Sequence, residues 1–135
     1  MRPALFWCGL ATGLVAAALS VGYAVFYQSA LGVDFSRVAP VPAIISANMG
    51  AAMLVTLACW LAERRTGAVP RSFNRWLVLF SALSAGIPFM VNLPLDISAP
   101  ELFPGLMAPM HLLPALIWLA LQRWWTTGSR ADGRG

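Results

Sequence analysis

The fold class predicted for this chain is all-α: a four-transmembrane-helix antiparallel bundle. Three observations predict it. Four long apolar runs fill the sequence. Only 10% of the residues are charged against 59% hydrophobic, with a mean hydropathy of +0.73, which is too few charges for a water-covered surface. And the basic residues, all nine of them arginine, crowd to one side of the apolar runs. At 135 residues there is room for one domain, read here as residues 1–125 in the membrane and a polar, glycine-rich tail over 126–135 that frays.

The first span covers about residues 4–27. At ~1.5 Å per residue it crosses a ~30 Å hydrocarbon core with slack. Arg2 and the small residues Gly22 and Ala24 give it some likeness to a signal peptide, but the apolar stretch is too long, and it is read as a retained span. The second span, 43–62, is entered through Pro40 and Pro42, which suit a first helical turn. The third, 76–92, is interrupted by Pro88, and the fourth, 105–125, contains Pro109 and Pro114. Each interior proline withholds an N–H from the carbonyl one turn earlier, at Ser84, Gly105 and Met110. In lipid such a carbonyl needs a neighbouring helix, a hydroxyl or water.

Arginine counting sets the orientation. Arg2, Arg64, Arg65, Arg71, Arg75, Arg123, Arg130 and Arg134 all fall on one side, and only Arg37 on the other. The positive-inside rule then puts both termini in the cytoplasm of a bacterial cell, with the protein multi-pass in the inner membrane. Trp7, Trp60, Trp76, Trp124 and Trp125 fall at the same interface as the arginines, Tyr23 and Tyr27 toward the opposite one. The absence of lysine and the wealth of alanine fit a GC-rich bacterial genome. The net charge of +4 is explained by these juxtamembrane clusters, so no nucleic-acid partner is expected. The partners expected are the lipid bilayer and another membrane protein or a second copy of the chain.

Small residues recur at four-residue spacing: Gly9 with Gly13, Ser46 with Gly50, Ala47 with Ala51, Ala82 with Gly86. Such positions let helix backbones approach closely. Packing within one bundle explains them, and a homo-oligomer seam is the alternative.

Candidate chemistry is sparse. His111 is the only histidine and the only ionisable group well inside a span, where such a residue is costly and therefore a functional candidate. The bland alternative is a neutral imidazole bonded to a proline-freed carbonyl or a serine. Asn48, Asn92, Ser46 and Ser84 fall in the same half of the bundle and with His111 could line one polar pocket. Interhelical hydrogen bonding, worth about 0.6 kcal/mol per contact on average, is the competing explanation. The loops on that side add Asp34, Asp96 and Glu101, either solvated charges or carboxylates near the histidine. One histidine makes a poor metal site and cannot ligate haem in pairs, so no metal or cofactor is expected.

Cys8 and Cys59 fall near the arginine-rich end without a CxxC motif, which argues against a thiol–disulfide enzyme and for small buried hydrophobes. Without lysine there is no retinal Schiff base. The first span has no acidic residue, unlike that of small multidrug exporters, and the one-sided charge separates the chain from fluoride channels with balanced loops.

Leu31-Gly32-Val33-Asp34, Pro40-Val41-Pro42, Glu63-Arg64-Arg65, Phe80-Ser81-Ala82-Leu83-Ser84 with Pro88, and Met110-His111-Leu112 together resemble a domain-of-unknown-function family of small four-span proteins from GC-rich bacteria. The likeness covers about residues 4–123. It implies that His111 and the serine–proline segment recur, and supplies no activity. The expectation is a non-enzymatic accessory or interaction subunit, with a small transporter or channel as the alternative.

Overall fold

The computed structural model describes residues 3–94 and 97–131, and at residues 71 and 123–131 the backbone alone. It is all-helical, with α1 over Pro3–Leu31, α2 over Val41–Thr66, α3 over Arg71–Ser84 and α4 over Phe103–Ala131. Short 3-10 turns occupy Ile87–Met90 and Pro100–Leu102. Three stretches are long and apolar enough to cross a membrane: Pro3–Leu31, Val41–Thr66 and Pro100–Gln122.

The third expected span departs from expectation. A continuous helix over 76–92 does not form. α3 starts five residues earlier, at Arg71, and stops at Ser84. Pro88 has no N–H for the Ser84 carbonyl and its ring collides with it, so the backbone tightens into a 3-10 turn and then runs extended from Val91. Fourteen helical residues reach only ~21 Å. By contrast Pro109 and Pro114 leave α4 continuous, and α4 runs on to Ala131, so the expected tail at 126–135 is helical as far as it is described.

Contacts fix the helix directions. Gly9 meets Thr56, Gly13 meets Met49 and Ala52, and Ser20 bonds Asn48, so α1 and α2 are antiparallel. Tyr27 and Tyr23 reach Leu102 and Gly105, and Cys8 lies with Trp118, so α1 is antiparallel to α4. Ser81 reaches His111, and α3 runs against α4. The up-down-up-down order puts the α1–α2 loop and the α3–α4 connection at one end, called distal here. The start of α1, the α2–α3 turn and Arg64, Arg65 and Arg75 lie at the other, proximal end. Arg37 is distal.

Every buried residue of α1 is small: Cys8, Gly9, Thr12, Gly13, Ala16, Ala17, Ser20 and Ala24. They answer Ile44, Asn48, Ala52, Thr56 and Cys59 of α2 at near four-residue steps. A Cβ on Gly9 would overlap the Thr56 hydroxyl, and one on Gly13 would sit 2.7 Å from Met49 Sδ. The GxxxG pair is therefore used within the bundle. Gly50, in the Ser46/Gly50 pair, meets nothing within 4 Å.

Two apolar clusters close the ends. Distally, Phe35 is fully buried and stacks edge-on to Phe103 at 5.7 Å, among Ala24, Ile44, Leu106 and Met110. Its loop is fixed by Gln28, whose Oε1 accepts from the Phe35 amide at 2.7 Å. Gly32, at φ +65°, ends α1 as the Val33 amide turns back to the Gln28 carbonyl. Proximally, Cys8, Cys59 and Trp118 are buried together, with Phe73 and Leu77 of α3 packed against them. Both cysteines are buried thiols outside any disulfide.

Candidate functional site: a distal cleft

α3 packs chiefly on α4, while α1 carries both α2 and α4. At the proximal end Phe73 and Leu77 fill the space beside Cys59. Toward the distal end a half-open cleft of about 440 Å³ remains between α2 and the end of α3, floored by α4. That volume is typical of small-molecule sites, ~300–1,000 Å³.

α2 supplies Ala43, Ala47 and Ala51 at four-residue steps, with Ile44 and Asn48 beside them. The alanines are why there is room: a larger side chain at any of them would occupy the gap. α4 supplies Met107, Met110, His111 and Pro114, the end of α3 contributes Ser84, and Val38 and Ala39 form the loop-side rim. The lining ends at Ala51 and Pro114. One to two turns beyond, Thr56, Cys59 and Trp118 are all at most 3% exposed, so the cleft is closed by packing at its proximal end.

Three of the five pocket residues expected from sequence converge here: Asn48, Ser84 and His111. Ser46 and Asn92 do not line the cleft. Ser46 is exposed and its hydroxyl turns to the Ala43 carbonyl at 3.1 Å. Asn92 is exposed on the extended segment after the 3-10 turn, because the helix that would have carried it inward ends at Ser84. Asp34 and Glu101 sit exposed on the distal connections and are not part of the lining. Asp96 lies outside the described residues.

The polar groups are held by specific bonds. Asn48 is 5% exposed. Its Oδ1 accepts from the Ser20 hydroxyl at 3.2 Å, and its Nδ2 donates to the Ile44 carbonyl at 2.8 Å. His111 Nδ1 lies 2.9 Å from the Met107 carbonyl. A carbonyl only accepts, so Nδ1 carries the proton, and in the neutral ring Nε2 is a bare acceptor. The carbonyl is that of the preceding turn, not one freed by a proline. Ser81 Oγ donates to the His111 carbonyl at 2.8 Å, and Ser84 Oγ donates to the Ser81 carbonyl at 2.8 Å. The first ties the end of α3 to α4 at His111; the second closes the last turn of α3 on itself.

Sequence reasoning missed Ser20, Ser81 and Tyr23. Tyr23 donates to the Gly105 carbonyl at 2.9 Å, the acceptor that Pro109 leaves open. The open carbonyl is legible from the proline; the donor 82 residues away is not. Ser20 had a signal, since it continues the small-residue stripe Thr12–Ala16–Ser20–Ala24 that α1 buries. Among the described residues no three His, Cys, Asp or Glu side chains group to hold a metal ion.

No family model, curated protein or solved structure matches this chain.

Proposed function

We propose that this chain is a non-enzymatic integral protein of a bacterial inner membrane, an accessory subunit that works by binding through its distal cleft. The observation that carries the reading is the cleft itself, apolar in the main, with an amide, a hydroxyl and an imidazole on its walls and a packed proximal floor. That pattern suits a site that holds something within the membrane.

The arginine asymmetry supports cytoplasmic termini and a distal end facing out. Four crossings fit this orientation when the third is a broken one: α3 and the 3-10 turn reach ~29 Å, and the extended residues 91–94 add ~13 Å. Reporter fusions after Gly67 and at the C-terminus test this. Activity of a cytoplasmic reporter at both positions is expected, and export of either overturns it.

Binding is tested by placing a photoreactive side chain at Ala47 in the cleft, with Phe26 on the exposed face of α1 as control. A discrete mass adduct from Ala47 and only bulk-lipid labelling from Phe26 is expected. The same profile at both positions overturns the reading. The small-transporter alternative draws on the convergence of Asn48, Ser84 and His111. It requires that a cysteine at Ser84, in a Cys8→Ala/Cys59→Ala background, react with impermeant maleimide from both sides of the membrane in turn; the binding reading requires reaction from the distal side alone.

A further inference from the structure

The chemistry left over on the cleft walls restricts what can sit there. His111 Nδ1 is committed to Met107, so the neutral ring offers Nε2 as an acceptor. Ser84 spends its proton on the Ser81 carbonyl, so its oxygen is left with accepting capacity. Asn48 has used one N–H and one lone pair and keeps one of each. The balance favours acceptors, and none of the charged side chains of the described residues lines the cleft.

Depth restricts the occupant further. Asn48 and His111 each lie about two turns inside the distal ends of α2 and α4, roughly 10 Å. A charged or zwitterionic head at that depth would be costly without a partner charge. An apolar chain alone would leave the acceptors unanswered. A neutral hydroxyl on an apolar body satisfies both conditions.

Resting on the cleft-binding reading, we propose that the distal cleft binds a neutral, lipid-soluble hydroxyl compound, an alkyl phenol or long-chain alcohol, whose O–H donates to Nε2 of His111. Ala43, Ala47 and Ala51 give the apolar body its room, and Ser84 and Asn48 bracket the hydroxyl.

The single histidine makes a direct test possible. The full chain, labelled with 15N at histidine and placed in phosphatidylcholine nanodiscs, gives one pair of ring-nitrogen signals. It is titrated with 4-octylphenol, with its methyl ether, and with dodecan-1-ol. The expected result is that the unprotonated nitrogen moves saturably toward the position of a protonated one with a hydroxyl compound, with apparent affinity at least about fivefold above the methyl ether, the scale of one neutral hydrogen bond. Movement with the phenol and the alcohol alike, or with the phenol alone, bears out the hydroxyl assignment, the second outcome naming an aromatic one. Ala47→Phe, or Ala51→Ile where the first variant fails to fold, should abolish the saturable movement. Equal movement with phenol and methyl ether, lost in Ala47→Phe, overturns the hydroxyl assignment and leaves the cleft a binding site. No movement with any compound, beside a discrete Ala47 adduct, likewise overturns the assignment alone; no movement and no adduct overturns both.

Discussion

Gly9 is the residue on which the α1–α2 seam depends most. A methyl group there would overlap the Thr56 hydroxyl, itself anchored at 2.8 Å to the Ala52 carbonyl, so the neighbour cannot swing aside without losing a bond. Gly9→Ala should destabilise by about 1–3 kcal/mol, the usual cost of overpacking. Adding Thr56→Ala should return part of that loss, because it removes the atoms in closest overlap. Thermal unfolding in detergent measures both. Asp34 presents a milder effect. The Ser36 hydroxyl, and with it the Ser36 amide at 2.8 Å from Oδ1, hold its carboxyl below the ordinary aspartate range. A depressed folded value means that the group favours the native loop above its unfolded value, and that this contribution is lost as pH falls through the folded one. Ser36→Ala should raise the Asp34 titration toward the ordinary range, read by carboxyl NMR. At this scale the sequence was informative about His111 and Asn48, whose isolation in apolar runs marks them. It was silent on Tyr23, whose role depends on which carbonyl it meets.

Among the elements α3 stands apart. None of its described side chains is fully buried, and Trp76, Leu79, Phe80 and Leu83 point away from the protein. Its hold on the molecule is the Phe73–Leu77 contact proximally and the Ser81–His111 bond distally. Segments with few buried contacts open first. Amide exchange should therefore be faster over 84–94 than in the small-residue half of α1. Slower exchange at 84–94 than at 12–20 would contradict this placement. Pro88 was legible as an interruption, and the physics of a missing N–H applied. What the sequence did not reveal was whether the chain would bend and continue, as α4 does through Pro109 and Pro114, or stop. At Pro109 a partner is at hand, since Tyr23 serves the carbonyl that this proline opens, and nothing along α4 announces that donor.

For the whole molecule, the arginine asymmetry of the sequence becomes a physical separation: Arg64, Arg65 and Arg75 gather at the end opposite Arg37, and Arg64 stacks over Trp60 at 5.3 Å, an arrangement suited to a membrane interface. The apolar runs were enough to predict an all-helical chain and the rough bounds of α1, α2 and α4, but not those of α3. They could not predict the cleft, because a lack of packing between α2 and the distal end of α3 has no signature along either helix. The Ala47/Ala51 pair was read as a place of close helix packing, and here, with Ala43, it lines open space. Filling that space should stabilise an apolar-sided bundle with no loss of polar contacts: Ala47→Leu is expected to raise the melting temperature while lowering any labelling through the cleft. A fall in melting temperature would mean that the helices cannot accept the added volume.

The bond from Tyr23 to the Gly105 carbonyl also bears on how the chain is made. α4 is synthesised after α1 and carries a carbonyl that its own backbone cannot serve, a handicap for any helix entering lipid. The donor belongs to α1, which is made before the acceptor. Tyr23 is then expected to aid the integration of α4. Tyr23→Phe should cost the finished protein only about 0.6 kcal/mol, yet it should delay the integration of α4 markedly more than that figure implies. Pulse–chase glycosylation mapping of sites flanking α4 would read the delay, and unchanged integration kinetics would confine Tyr23 to the finished structure.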